Sequence, residues 1–168
     1  MDASFATERL RATKIARSDL DDLVRLHLDP EASRFLGGVR SPEKTAAYLD
    51  TQIQHWSRHG FGLWTLRTPS GAFVGRAGLR YVEVEGREEL EIAYALGRAW
   101  WAQGLASEVA RALVATWRAA LPDPRLTGLV EVGNTASEKV LLKCGFTYER
   151  QASFHGAPIG IFGLDRER

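Results

Sequence analysis

The chain has 168 residues, 45% hydrophobic and 26% charged, with a formal net charge of +1. That length supports one domain with a substantial core, and the near-neutral balance argues against nucleic-acid binding, which needs a strongly basic face. The single cysteine, Cys144, excludes an intrachain disulfide and fits a reducing compartment. No stretch reaches the roughly 20 apolar residues of a membrane span, and no signal-peptide run opens the sequence, so a cytoplasmic protein with no membrane partner is expected.

In chain order, residues 8–14 alternate weakly like an edge strand. Ser18 and Asp21 form a capping pattern before Leu20, Leu23, Val24 and Leu28, which recur at helical spacing until Asp29-Pro30. Ser41-Pro42 starts a second helix whose apolar face carries Ala46, Leu49, Ile53 and Trp56, with Gly60 as its C-terminal cap. Three strands follow, over 61–67, 73–84 and 89–96. In the second, Phe73, Ala77, Leu79 and Tyr81 share one face and Arg76 and Arg80 the other. In the third, Leu90, Ile92, Tyr94 and Leu96 alternate with Glu91, Ala93 and Ala95. A helix from about 103 to 121 places Leu105, Val109, Leu113, Trp117 and Leu121 four apart on its apolar face. A strand at 126–132, a helix after Asn134 ending at Gly145, and a hairpin of 146–154 and 159–164 complete the order β-α-α-β-β-β-α-β-α-β-β. Such a chain folds as a mixed sheet with helices on its faces.

The junction after residue 96 carries the sharpest chemical signal. Gln103-Gly104-Leu105-Ala106-Ser107 opens a long helix shortly after a strand. The first N–H groups of a helix lack intrahelical partners and lie at the positive end of its dipole. Small side chains there let a phosphate approach the backbone. Two readings follow from these residues: a phosphate-binding turn, or a glycine that merely tightens a strand-to-helix connection. Neither a Walker A loop nor a Rossmann Gly-x-Gly-x-x-Gly is present.

The run from Glu91 to Ala110 resembles the pyrophosphate-binding region of the GNAT superfamily of acyl-CoA-dependent N-acetyltransferases. That motif, Gln/Arg-x-x-Gly-x-Gly/Ala, falls on Trp101–Ala106 with Trp in the first position, a departure from the superfamily at large. The aromatic-Trp-x-Gln-Gly-x-Ala run is similar to the ribosomal-protein N-terminal acetyltransferase-like (RimJ/RimL-type) branch. So are Asn134-Thr135-Ala136-Ser137 followed by Lys143-Cys144-Gly145-Phe146, Thr7-Glu8-Arg9-Leu10, and His59–Trp64. The resemblance spans about residues 7–165. It implies an α/β (α+β) fold, a mixed, mostly antiparallel six- to seven-stranded sheet flanked by helices, in a single domain.

The resemblance also implies a chemistry: transfer of acetyl from acetyl-CoA to a primary amine, of a protein N-terminus or a small molecule, by direct attack in a ternary complex. Ala93, Tyr94, Ala95 and Leu96 would line the pantetheine arm, and Gln103, Gly104, Leu105, Ala106 and Ser107 the pyrophosphate. Asn134 would bond a pantetheine amide, or act only as a helix cap. Many superfamily members carry a tyrosine seven residues after this asparagine to protonate the leaving thiolate. Leu141 stands there in this chain, which leaves Ser137 or a water as the acid. Glu91 is either the base toward the amine or the salt-bridge partner of Arg76 or Arg80. Phe35, His55 and His59 are placed at the acceptor site, the histidines otherwise serving the helix end. No metal set is completed around them. Lys139, Lys143 and Arg98 either meet the cofactor's phosphates or form a solvated face, the favoured reading; Cys144 reads as buried and inert, Trp100 and Trp101 as packing under the turn; and the acidic residues at 83–89 either favour a cationic acceptor or form an exposed turn, again the favoured reading. A non-catalytic acyl-CoA-binding regulatory module is the alternative, as monomer or homodimer in either case.

Overall fold

The computed structural model describes residues 1–167. One eight-stranded sheet runs in the order β1-β2-β3-β4-β5-β6-β8-β7. Its strands are β1 (Ser4–Ala6), β2 (Arg11–Lys14), β3 (Leu63–Arg67), β4 (Phe73–Val84), β5 (Arg87–Leu96), β6 (Arg125–Glu131), β7 (Thr147–Phe154) and β8 (Ala157–Asp165). The helices are α1 (Leu20–Leu28), α2 (Pro30–Ser33), α3 (Pro42–His59), α4 (Leu105–Ala120) and α5 (Thr135–Lys143). All neighbouring strands are antiparallel except β5 and β6. The expected mixed, mostly antiparallel sheet flanked by helices is therefore the architecture. It has one strand more than expected because Ser4–Ala6 pairs with Arg11–Thr13. It also has the one-turn α2, started by the Asp29 carboxylate accepting from the N–H groups of Glu31 and Ala32.

The α4 stripe behaves as its spacing predicts. Leu105, Val109, Leu113 and Trp117 are buried, each worth roughly 1.5–3 kcal/mol of apolar burial. Leu141 of α5 packs on β6 so closely that a Cβ on Gly128 would lie 2.4 Å from its Cδ1. Helix starts and faces nearer the N-terminus differ from the sequence pattern. Asp19 rather than Ser18 organises the start of α1: its carboxylate accepts from the Ala16 N–H and the Thr65 hydroxyl and pairs with Arg67. Leu28 is exposed, while Leu26 and His27 are buried. On α3 the buried stripe is Thr45, Leu49, Gln52 and Trp56. The helix is thus turned from its purely apolar face: Thr45 meets buried His27 and Gln52 borders a cleft, while Leu49 and Trp56 join the core.

Beyond Ile92 the sheet opens. β5 and β6 are in register only at Glu91↔Thr127 and Ile92↔Gly128. Residues 93–96 of β5 continue to pair with β4, and residues 129–131 of β6 with β8. A wedge is thus left between two strands that are each held firmly on their outer side.

Candidate active site

A cleft of about 670 Å³ extends from this wedge to the space between the sheet and α3. Glu91, Ala93 and Tyr94 reach it from β5, Arg76 and Arg80 from β4, and Asn134 and Ser137 from the start of α5. Phe35, Tyr48 and His55 line it from the helical side. The parting of two paired strands gives Ala93–Leu96 backbone groups without a β6 partner, and the small Ala93 and Ala95 leave room beside them.

The start of α4 lies outside this cleft, and its structure follows from two left-handed residues. Ala102 (φ 57°) and Gly104 (φ 79°) turn the chain sharply into the helix. For glycine that conformation carries no Cβ penalty. No side chain caps α4, whereas Ser41 caps α3 and Asn134 caps α5. Its first N–H groups therefore point out of the helix toward whatever anion is offered. Glu108 in the first turn would repel such an anion, but it is neutralised. Burial works against its ionisation, and the Thr7 hydroxyl together with the Arg9 backbone and guanidinium more than offsets that, holding the carboxyl below its ordinary range. Arg9 also donates to the Gln103 carbonyl and sits beside Gly104.

Across the wedge, the Asn134 side-chain oxygen accepts from the Ser137 N–H at 3.3 Å, the ordinary geometry of a helix cap. The Tyr94 hydroxyl lies 3.0 Å from Ser137 Oγ and donates to the Ser137 carbonyl at 3.2 Å. Burial raises Tyr94 well above the usual tyrosine range, against the lowering pull of Ser137. The phenol therefore stays protonated through neutral pH. A tyrosine hydroxyl thus reaches Ser137 from β5 instead of from α5. The family resemblance placed Tyr94 only along the pantetheine arm.

The Glu91 carboxylate is buried and receives the Arg80 Nε at 2.7 Å, while Arg80 also reaches the Tyr48 hydroxyl at 3.5 Å. Burial tends to discharge Arg80, and Glu91 with Tyr48 reverses this, so the guanidinium is held above its ordinary range. Two residues expected near the acceptor behave differently from each other. The ring of His55 borders the cleft, but Nδ1 donates to the Phe61 carbonyl at 2.8 Å and Nε2 accepts from the Tyr81 N–H at 3.0 Å. Both nitrogens are committed, and burial lowers its proton affinity. His59 is exposed and stacks at the end of α3, outside the cleft.

Outside the cleft, Lys139 and Lys143 are exposed on α5, and Arg98 pairs with Asp29. Trp100 donates to the Phe73 carbonyl, but Trp101 is 45% exposed instead of packed under the turn, held by its indole N–H to the Leu96 carbonyl. Cys144 is half-buried, and burial pushes its thiol up. The acidic residues at 83–89 are partly tied into structure: Glu85 binds Arg150 and the Ser153 N–H, and Glu89 accepts from Thr127. Among the described residues no metal-binding cluster is formed and no helix is long and apolar enough to cross a membrane.

The sequence matches the family model of the acetyltransferase (GNAT) domain over residues 9–147. It is 30% identical over 149 residues to an uncharacterized N-acetyltransferase, p20, of Bacillus licheniformis, covering 85% of this chain and 82% of that one. An acetyltransferase from Agrobacterium tumefaciens superposes with a TM-score of 0.86 at 21% identity over 98% of this chain and 95% of that one. The ribosomal L7/L12 α-N-protein acetyltransferase RimL, solved with coenzyme A, superposes with a TM-score of 0.77 at 20% identity over 95% of each chain. The resemblance read from the motifs is thus met by the domain match and by the fold, and the chain belongs to the GNAT family as an N-acetyltransferase.

Proposed function

We propose that the enzyme moves acetyl from acetyl-CoA directly to a primary amine, with both substrates bound together. The observation that carries this reading is the wedge between β5 and β6 next to the uncapped start of α4. The residues fit a CoA thioester: an extended arm can hydrogen-bond the β5 edge at residues 93–96, where the Leu96 carbonyl already accepts from Trp101, and a pyrophosphate can take the N–H groups after Gly104. Asn134, which already caps α5, would offer its remaining amide capacity to the arm.

Glu91 is proposed as the base. Its Oε2 is taken by Arg80, and its second oxygen retains acceptor capacity. The acceptor's ammonium, with a pKa of about 8–10, holds its proton too tightly for a carboxylate to remove, so that first proton is lost to solvent and the neutral amine attacks. Once the nitrogen has attacked the carbonyl it becomes strongly acidic, and a carboxylate then suffices. At the other end, the Tyr94–Ser137 pair faces the departing sulfur. Proton transfer from a phenol made less acidic by burial to a thiolate of pKa about 8.5 is uphill, so the pair acts as a hydrogen-bond donor to the developing charge, and the sulfur leaves as a thiolate that equilibrates with the protons of bulk solvent. Ser137 then serves to orient the hydroxyl of Tyr94.

Thermal unfolding with acetyl-CoA, CoA and ATP tests the donor site. A ligand at 100 times its Kd adds about 2.7 kcal/mol of stability. Stabilisation by acetyl-CoA and CoA but not ATP is expected, followed by amine-dependent release of CoA thiol. The absence of any CoA effect would return the Gln103–Ser107 turn to a purely structural role.

A further inference from the structure

Three arginines converge on a single tyrosine ring in the acceptor half of the cleft. The guanidinium carbons of Arg40 and Arg76 each lie 4.8 Å from the Tyr48 ring centroid, and Arg80 reaches the Tyr48 hydroxyl. All four side chains line the cleft. Arg80 has Glu91 as its counterion. Arg76, only 3% exposed, has none: its one hydrogen bond among the described residues runs from Nε to His27 Nε2 at 3.4 Å. Arg40 donates to the Leu36 carbonyl and approaches the same His27 nitrogen at 3.5 Å.

A buried guanidinium with five donors normally meets a carboxylate or several carbonyls. Here two guanidinium groups share one imidazole nitrogen. The crowding registers on Arg76, Arg40 and His27. Burial lowers Arg76 to about 10, with Arg80 and Arg40 adding to it and Tyr48 and Glu91 opposing, and burial likewise lowers Arg40. Burial and both arginines drive His27 down to about 3, so the imidazole is neutral and supplies no negative charge. Two further carboxylates line the cleft, Glu83 and Glu131, and neither bonds an arginine. Glu83 is exposed, and Glu131 lies on β6, across the wedge from the arginine cluster. Gln52 also lines the cleft and has a buried side-chain oxygen with no partner. The acceptor cavity thus has a basic end without its anion and an acidic side at Glu91.

Building on the acetyl-transfer reading, we propose that Arg40, Arg76 and Tyr48 form an anion subsite, and that the acceptor is a small amine carrying a carboxylate, of the amino-acid class. The carboxylate settles between the two guanidinium groups, which can each give it paired N–H donors. The amino group is left toward Glu91 and the wedge. Such a ligand supplies the missing counterion and uses the existing one. A polyamine would put a second cation against three arginines in a low-dielectric site and is disfavoured by the same charges. The position of Arg76 also favours a small molecule. A group that pairs with it must penetrate a nearly closed site, which a free carboxylate on a short stem can do.

The test is CoA-thiol release by the full chain with a panel of free amino acids, the matching amino-acid amides, spermidine, and short peptides with acidic or neutral second residues. Free acids are expected to exceed their amides by at least tenfold in kcat/KM. Arg40→Gln, at a half-buried and therefore tolerant position, should raise KM for the acids tenfold or more. It should leave KM for any slowly used amide, and the thermal shift with acetyl-CoA, unchanged. Equal use of acids and amides, preference for spermidine or peptides, or an Arg40→Gln effect shared by acids and amides overturns the anion subsite while leaving acetyl transfer intact. Binding of acetyl-CoA with no turnover of any free acid also overturns it. A chain that neither binds acetyl-CoA nor releases thiol overturns the reading beneath it instead.

Discussion

The two halves of the cleft are built by opposite means. On the donor side, the β5 edge and the start of α4 offer backbone: free strand groups, uncapped N–H donors, and small side chains that keep out of the way. On the proposed acceptor side, the loop before α3, α3, β4 and β5 offer side chains: arginines, a tyrosine, a glutamate and a glutamine, drawn from positions far apart in the chain. Backbone recognition tolerates much sequence change provided the turn geometry is kept. Side-chain recognition is rewritten by single substitutions. A protein built this way can hold one donor constant while its acceptor changes.

Separating the halves experimentally sharpens this contrast. Glu91→Gln should reduce turnover by about 10²–10⁴-fold, the usual scale for a lost acid–base group, while acetyl-CoA still raises the unfolding temperature. Loss of the thermal shift together with turnover would mean the halves are not independent. His27→Gln addresses the acceptor scaffold. The folded-state value of about 3 lies below the ordinary 6.5, so the unfolded chain takes up a proton in this window and the folded one does not. The stability His27 contributes is present above pH 6.5 and is lost as pH falls toward 3. Urea unfolding should therefore show the wild type losing about 3 kcal/mol between pH 7 and pH 4 that the variant does not lose.

Gly104→Val should act on the donor half alone. The left-handed backbone at this position costs a β-branched residue roughly 1–3 kcal/mol, and its side chain would stand in contact with Arg9. The measurable result is disappearance of the roughly 2.7 kcal/mol of stabilisation that saturating CoA should give. Tyr94→Phe is the mildest probe. Removing one hydrogen bond to the leaving group should lower kcat by about fivefold, on the order of 1 kcal/mol, with little change in KM for either substrate. A change as large as that of Glu91→Gln would instead make the phenol a true proton donor.

Apart from the one-turn α2, the sequence by itself determined the order of elements from residue 8 onward, and also the α4 stripe and the Gly104 turn. These depend on local periodicity and on conformations that neighbouring residues report. It also placed Arg76 and Arg80 on one face of β4, opposite the apolar one, which is the trace of the acceptor site that strand alternation can carry. Only the tertiary structure decided that Glu91 meets Arg80 rather than Arg76. It alone carried Tyr94 to Ser137 and set both nitrogens of His55 to structural bonds. It turned α3 so that Thr45, bonded to His27, and Gln52, at the cleft, are buried beside Leu49 and Trp56. Arg40 and Tyr48 left no local sign, since nothing in a loop residue or a helical tyrosine reveals which charges another strand will bring against it. Backbone features are written in adjacent residues, whereas a side-chain site is a meeting of distant ones, and the fold alone arranges that meeting.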